Sequence, residues 1–149
     1  MGISPTSRHR IRPAVSSDSD VVFALLADLG QGISPERASF ESNFAVLLDD
    51  PLSTLVLVAE DEDGVVRGYA FTTISRLLHR SGLSAHLQEL VVDSAVAGQG
   101  FGSALVDATE RACRDHNVTQ LTVASRRSAG FYERLGYRTT ADFLKRTFD

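Results

Sequence analysis

Apolar residues recur with two periods along this chain, and the switches between them mark out its elements. Val22, Leu25, Leu26 and Leu29 fall at i, i+3, i+4 and i+7, which predicts an amphipathic helix over Ser17 to Leu29. Ser17 or Asp18 can cap its start and Gly30 stops it. A second helix is predicted with Ser34 as N-cap, Pro35 in the first helical position and Glu36 in the first turn. Its stripe is Phe40, Phe44, Leu47 and Leu48, and Pro51 closes it. The period then becomes that of a strand. Thr54 to Ala59 is continuously apolar and β-branched, as in a strand covered on both faces. Asp61-Glu62-Asp63-Gly64 is a turn signal, and Val65 to Ser75 returns to make a hairpin. Leu83 to Val92 reads as another strand, Phe101 to His116 as a helix and Thr119 to Ala124 as a fifth strand. Arg127 to Leu135 reads as a short helix stopped by Gly136, and Tyr137 to Phe148 as one or two last strands. With a weak first strand from His9 to Val15 ending at Pro13, the order β-α-α-β-β-β-α-β-α-β-β predicts one mixed α/β (α+β) domain over residues 9–149. Residues 1–8 are read as a frayed tail.

Composition narrows the function. A chain of 149 residues fits one domain with a sizeable core. No apolar run approaches the ~20 residues of a membrane helix, and no apolar stretch follows the basic residues of the N-terminus as a secretory signal requires. The single cysteine, Cys113, excludes an intramolecular disulfide and a Cys-rich zinc site, so a cytoplasmic location is expected. Cys113 reads as a buried, inert thiol. The net charge of −4 is unevenly spread: residues 1–75 hold 11 acids and 5 bases, net −6, and residues 76–149 hold 8 acids and 10 bases, net +2. That is not the basic face of a nucleic-acid binder. It suits an anion in the second half and a cation near the first. The consecutive acids Glu60 to Asp63 face different ways and read as a solvated turn rather than a metal site.

Chemistry concentrates in LQELVVDSAVAGQGFGSALVDATERA, which reads strand, glycine loop, helix. Glycines 98, 100 and 102 leave successive N–H groups unshielded where a helix begins, so unpaired donors and the positive dipole end meet there. Such a loop suits a phosphate or diphosphate; a tight strand-to-helix turn is the competing reading. It is not the dinucleotide fingerprint, which needs Gly where Ser103 stands, nor the P-loop, which needs a Lys absent here.

The run Ala97-Gly98-Gln99-Gly100-Phe101-Gly102 resembles motif A of the GCN5-related N-acetyltransferase (GNAT) superfamily, Q/R-x-x-G-x-G/A. About thirty residues on, Ser125-Arg126-Arg127-Ser128-Ala129-Gly130-Phe131-Tyr132-Glu133-Arg134-Leu135-Gly136-Tyr137 is similar to motif B, with its core F-Y-E-x-x-G-[FY]. The resemblance spans His9 to Phe148 and is specific from Leu87 to Tyr137. Two positions depart from it: Ala97 stands where Arg or Gln is usual, and Ser125 where Asn often contacts the coenzyme.

The resemblance implies acetyl-CoA as co-substrate and direct transfer to an amine in a ternary complex. The coenzyme would lie between splayed strands 83–93 and 119–124, against Leu90, Val91 and Val92. Its diphosphate would meet Ala97 to Ser103, and Ser125, Arg127, Ser128, Phe131 and Tyr132 would complete the site. Arg126 and Arg127 would face the 3′-phosphate, or simply solvent. The oxyanion would be met by an N–H near Val91 or Val92. Tyr132 would protonate the leaving thiolate, or only pack. Glu89 would serve as general base, with an exposed strand glutamate as the competing reading, and His86 is a weaker candidate. His79 and His116 read as structural or exposed. The amine would enter between the first two helices and the loop 76–83. A small-molecule amine is the expected acceptor, and a homodimer is compatible with the resemblance. The rival functions are a non-catalytic acyl-CoA sensor and an interaction module on the same scaffold.

Overall fold

The computed structural model describes residues 9–27, 35–125 and 130–148. The strands are β1 (Arg10–Pro13), β2 (Thr54–Glu60), β3 (Val66–Arg76), β4 (Leu83–Val92) and β5 (Val118–Val123). The helices are α1 (Ser19–Ala27), α2 (Arg37–Leu48), α3 (Phe101–Asp115) and the short α4 (Phe131–Arg134). The strands lie side by side in chain order. β1 to β4 are antiparallel, and β5 joins β4 in parallel because α3 crosses over between them.

The sheet is covered on both faces, which is why β2 carries a continuous apolar run. On one face, Phe101, Leu105 and Val106 of α3 pack on Leu57, Ala59, Ala70 and Leu87. On the other, Val22 and Leu25 of α1 and Phe44 of α2 pack on Val58, Tyr69 and Val91. A Cβ at Gly68 would lie 2.9 Å from the Val91 carbonyl oxygen and 3.2 Å from Leu105 Cδ1. Glycine there lets α3 lie close to the sheet.

Several boundaries differ from the sequence reading. α1 starts after a 3-10 turn, Ser16–Asp18, and α2 starts at Arg37 with Glu36 as N-cap. The Leu29, Gly30 and Ser34 assignments, the tail 1–8 and the start of the helix at Arg127 lie outside the described residues. The expected last strands are corrected: residues 137–148 form no strand. Phe143 and Leu144 are adjacent, so they cannot share one face of an extended chain. With Phe148 they stay largely exposed (71, 89 and 84%), and nothing rewards pairing with β5. Among the described residues, no helix is long and apolar enough to cross a membrane.

Candidate active site

Strand β4 builds the site by losing its regularity. Phe71 of β3 lies opposite Glu89 while Thr72 lies opposite Leu87, so Gln88 is an extra, unpaired residue, a β-bulge. Pairing with β5 ends at the same level, at Leu87 and Val123. Beyond it, residues 88–92 run on without a β5 neighbour. β5 itself ends at Val123, so the second half of β4 is open on that side.

The bulge changes which way side chains and main chain face. Leu87 and Leu90 both pack on the α3 side, so Gln88 and Glu89 share the opposite side. Gln88 Nε2 donates to Thr73 Oγ1 (3.0 Å), and Glu89 accepts from the Tyr69 hydroxyl (2.8 Å). Plain strand alternation would put Gln88 on the face of Leu90, and the bulge moves it to the face of Glu89. The Asp93 N–H donates to the Arg67 carbonyl across to β3 (2.7 Å). Main-chain direction alternates, so Val91 turns its N–H to β3, whereas Leu90 and Val92 turn theirs to the side that β5 has left. Of the two N–H groups named from the sequence, that of Val92 faces the open side and that of Val91 faces β3.

After β4 the chain is pinned. Asp93 accepts from the Ala95 N–H (2.9 Å), and Arg67 bridges Asp93 (3.0 Å) and Asp61 (2.8 Å). The Ala95 N–H and then Arg67 hold the Asp93 carboxyl below the ordinary carboxylate range. Gly98 and Gly100 take positive φ (78° and 88°), which residues with a Cβ rarely adopt. The first helical bond at this end of α3 runs from Ala104 N–H to the Gly100 carbonyl. Among the described residues, the N–H groups of Gly98, Gly100, Phe101, Gly102 and Ser103 meet no main-chain acceptor, which leaves five donors at the positive end of a helix. A Cβ at Gly102 would lie 3.4 Å from the Phe131 ring, so α4 abuts this loop. Ala97 adds only a methyl group, and the loop forms without the Arg or Gln usual there. A cleft of ≈ 590 Å³ touches Gly98 and Gln99, but Asp61, Glu62 and Asp63 share it, so it is not the anion's side.

Tyr132 is 9% exposed, with its ring edge-on to Phe131 (4.9 Å) and Tyr137 (5.6 Å). Burial pushes its phenol above the usual value, so it stays protonated and able to donate. It belongs to the α3-side cluster against which Leu90, Val92 and Phe131 also pack. Glu89 belongs to the other face. Ser125 is exposed just past β5. Arg126, Arg127 and Ser128 lie outside the described residues.

On the face of Glu89, three cross-strand pairs line the sheet: Gln120 Nε2 donates to Ser84 (2.9 Å), His86 Nδ1 meets Thr122 Oγ1 (2.8 Å), and Gln88 meets Thr73. Burial lowers the His86 pKa, so its imidazole stays neutral around pH 7. Cys113 is buried and its thiol is pushed up to about 11 by desolvation, as an inert cysteine requires. His116 Nδ1 bonds to the Ala112 carbonyl (2.8 Å), a structural contact; His79 is exposed. The residue that sequence reasoning missed is Tyr69. Its reach to Glu89 is a diagonal cross-strand contact that exists only once the register is known.

The Acetyltransferase (GNAT) domain family pattern matches residues 53–139. A rice (Oryza sativa subsp. japonica) protein, glucosamine 6-phosphate N-acetyltransferase 1, is 28% identical over 133 residues, 87% of this chain and 81% of its own. The glucosamine-6-phosphate N-acetyltransferase from Arabidopsis thaliana superposes with a TM-score of 0.81 at 22% identity, covering 95% of this chain and 99% of its own. A transcriptional regulator from Bacillus halodurans C-125 gives 0.84 at 22% identity, with 94% and 99% covered.

Proposed function

This chain belongs to the GNAT acetyltransferase family, and we propose that it moves the acetyl group of acetyl-CoA directly to a small polar amine in a ternary complex. The observation that carries the reading is that β4 runs on past the end of β5 from the Gln88 bulge, with Glu89 on one face of the sheet there and Tyr132 on the other.

That arrangement divides the labour of acyl transfer. An amine arriving on the α1/α2 face gives its proton to Glu89, directly or through a water, and its nitrogen attacks the thioester carbonyl. The N–H of Val92 or Leu90 faces the opening and meets the charge that develops on the carbonyl oxygen. The C–S bond breaks, and Tyr132 gives its proton to the departing thiolate on the α3 face. The amides from Gly98 to Ser103 hold the diphosphate, so the thioester is presented from that side. Because nucleophile and leaving group occupy opposite faces, no acyl-enzyme is needed, and Cys113 plays no part.

Among the described residues of β3 to β5, the Glu89 face offers amide and hydroxyl groups beside the Glu89 carboxylate. That suits a hydroxylated monoamine better than a polyamine, which needs several anions. The rice relative, named for glucosamine 6-phosphate, puts that amine first in a trial panel.

The test is release of free thiol from acetyl-CoA across amino sugars, amino-sugar phosphates, polyamines and peptide lysines. Amine-dependent, saturable release with an amino sugar supports the reading. Tight coenzyme binding with no turnover on any amine favours the sensor instead, and absence of coenzyme binding removes both.

A further inference from the structure

The glycine loop is gripped from outside by a residue 90 positions away from it in the sequence. His9, immediately before β1, lies within 2.8 Å of the Gln99 carbonyl oxygen through Nε2. A carbonyl only accepts, so Nε2 carries the proton and donates. The same imidazole stands edge-on to Phe101 at 4.3 Å between centroids. Its Cε1 lies 3.4 Å from where a Cβ on Gly100 would be. Three successive loop residues, Gln99, Gly100 and Phe101, are thus held by one ring.

The consequence follows from peptide geometry. No peptide bond here is cis, and in a trans peptide the C=O and the next N–H point opposite ways across one rigid plane. Drawing the Gln99 carbonyl outward onto His9 turns the Gly100 N–H inward, to join the free donors of Phe101, Gly102 and Ser103. Gly100, at φ 88°, has no Cβ to restrain its backbone. Without an outer anchor its peptide plane can rotate and present a carbonyl oxygen where an anion should sit. We propose that His9 is a positioning residue for the coenzyme's diphosphate: its imidazole fixes the Gln99–Gly100 peptide so that the Gly100 N–H joins the phosphate-binding crown. The inference rests on the coenzyme reading above but is separable from it.

The test compares acetyl-CoA with acetyl-pantetheine, which has the thioester arm but no diphosphate. His9→Phe keeps a ring against Phe101 and removes the donor. His9→Gln places an amide nitrogen close to the position of Nε2. For His9→Phe, kcat/KM for acetyl-CoA is expected to fall about 3- to 10-fold, the effect of one hydrogen bond, through a raised KM with kcat little changed. kcat/KM for acetyl-pantetheine should stay within twofold, and His9→Gln should restore most of the acetyl-CoA value. Equal loss with both thioesters overturns the proposal, because a general structural defect does not distinguish them. No loss with either also overturns it. If His9→Phe unfolds, the decision falls to His9→Gln and His9→Leu under the same ratio. A wild-type protein that binds no acetyl-CoA overturns the coenzyme reading itself, a result visible before any variant is made.

Discussion

At the residue scale, two side chains have opposite relations to their surroundings. Tyr132 keeps its proton because burial raises its pKa, and in the proposed reaction it gives that proton up late. Tyr132→Phe preserves the ring that packs on Phe131 and Tyr137 and removes the donor. It is expected to lower kcat about 10²-fold, the low end for a general acid, because a thiolate is a fair leaving group unaided. KM for acetyl-CoA should change little; a parallel rise in KM would mean that Tyr132 holds the coenzyme rather than the proton. Thr72 is the converse case. It is fully buried in β3, and its hydroxyl meets no partner among the described residues. A buried hydroxyl without a partner costs about 1–3 kcal/mol, and valine has nearly the same shape. Thr72→Val is therefore expected to stabilise the fold by about 1 kcal/mol, read as a higher urea midpoint at unchanged slope.

At the scale of elements, the junction of β1 with α1 rests on one buried carboxylate. Asp18 is 6% exposed, receives Arg12 through both oxygens (2.8 and 2.9 Å) and accepts the Val15 N–H (2.8 Å). Arg12 also reaches Glu60 at the end of β2 (2.9 Å), so edge strand, helix start and hairpin share one guanidinium. The Arg12 contact, foremost, holds the Asp18 pKa below its ordinary value. A depressed folded-state pKa means that the unfolded chain binds the proton more readily. The contribution is therefore present above the unfolded value, ~3.9, and is lost as pH falls through the folded one. Asp18→Asn should lower stability at pH 7, and the gap to wild type should narrow as pH falls below the unfolded value, ~3.9; a gap that does not narrow on acidification would contradict this. The sequence showed Asp18 as a helix cap and no more, because its partner Arg12 lies on a strand whose placement periodicity does not reveal. The same holds elsewhere. β4 was legible to its ends, Leu83 and Val92, since Leu83, Ala85 and Leu87 alternate with Ser84, His86 and Gln88 and Leu90 to Val92 follow, but the bulge was not. One unpaired residue leaves no mark on composition, yet it decides that Gln88 joins the face of Glu89 and that Val92, not Val91, turns its N–H to the opening. The final strands failed for the opposite reason: aromatic residues between 137 and 148 signal β-structure, but no alternating apolar face backs them.

At the scale of the whole molecule, the uneven charge seen in the sequence has a structural counterpart. The acidic hairpin tip, Asp61 to Asp63, lies beside the outer surface of the glycine loop, and the free amides are the loop's only described attraction for an anion. In the proposed function the anion then comes from the inner side, beside residues 88–92 of β4, which have no β5 neighbour. An opening of this kind leaves the second half of β4 paired on one side only, with β3, and in the proposed function a ligand seated there ties β4 to α3 and α4. A ligand that binds only the folded chain stabilises it by RT ln(1 + [L]/Kd), about 2.7 kcal/mol at a hundredfold excess over Kd. For a domain of this size about 2–4 °C accompanies each kcal/mol, so saturating CoA is expected to raise Tm by about 5–10 °C. Pantetheine at the same concentration should raise it far less, because it makes none of the contacts with the amides from Gly98 to Ser103. Equal shifts would place the binding energy in the thioester arm and the strand edge instead, and the helix N-terminus would then be a turn that happens to carry three glycines.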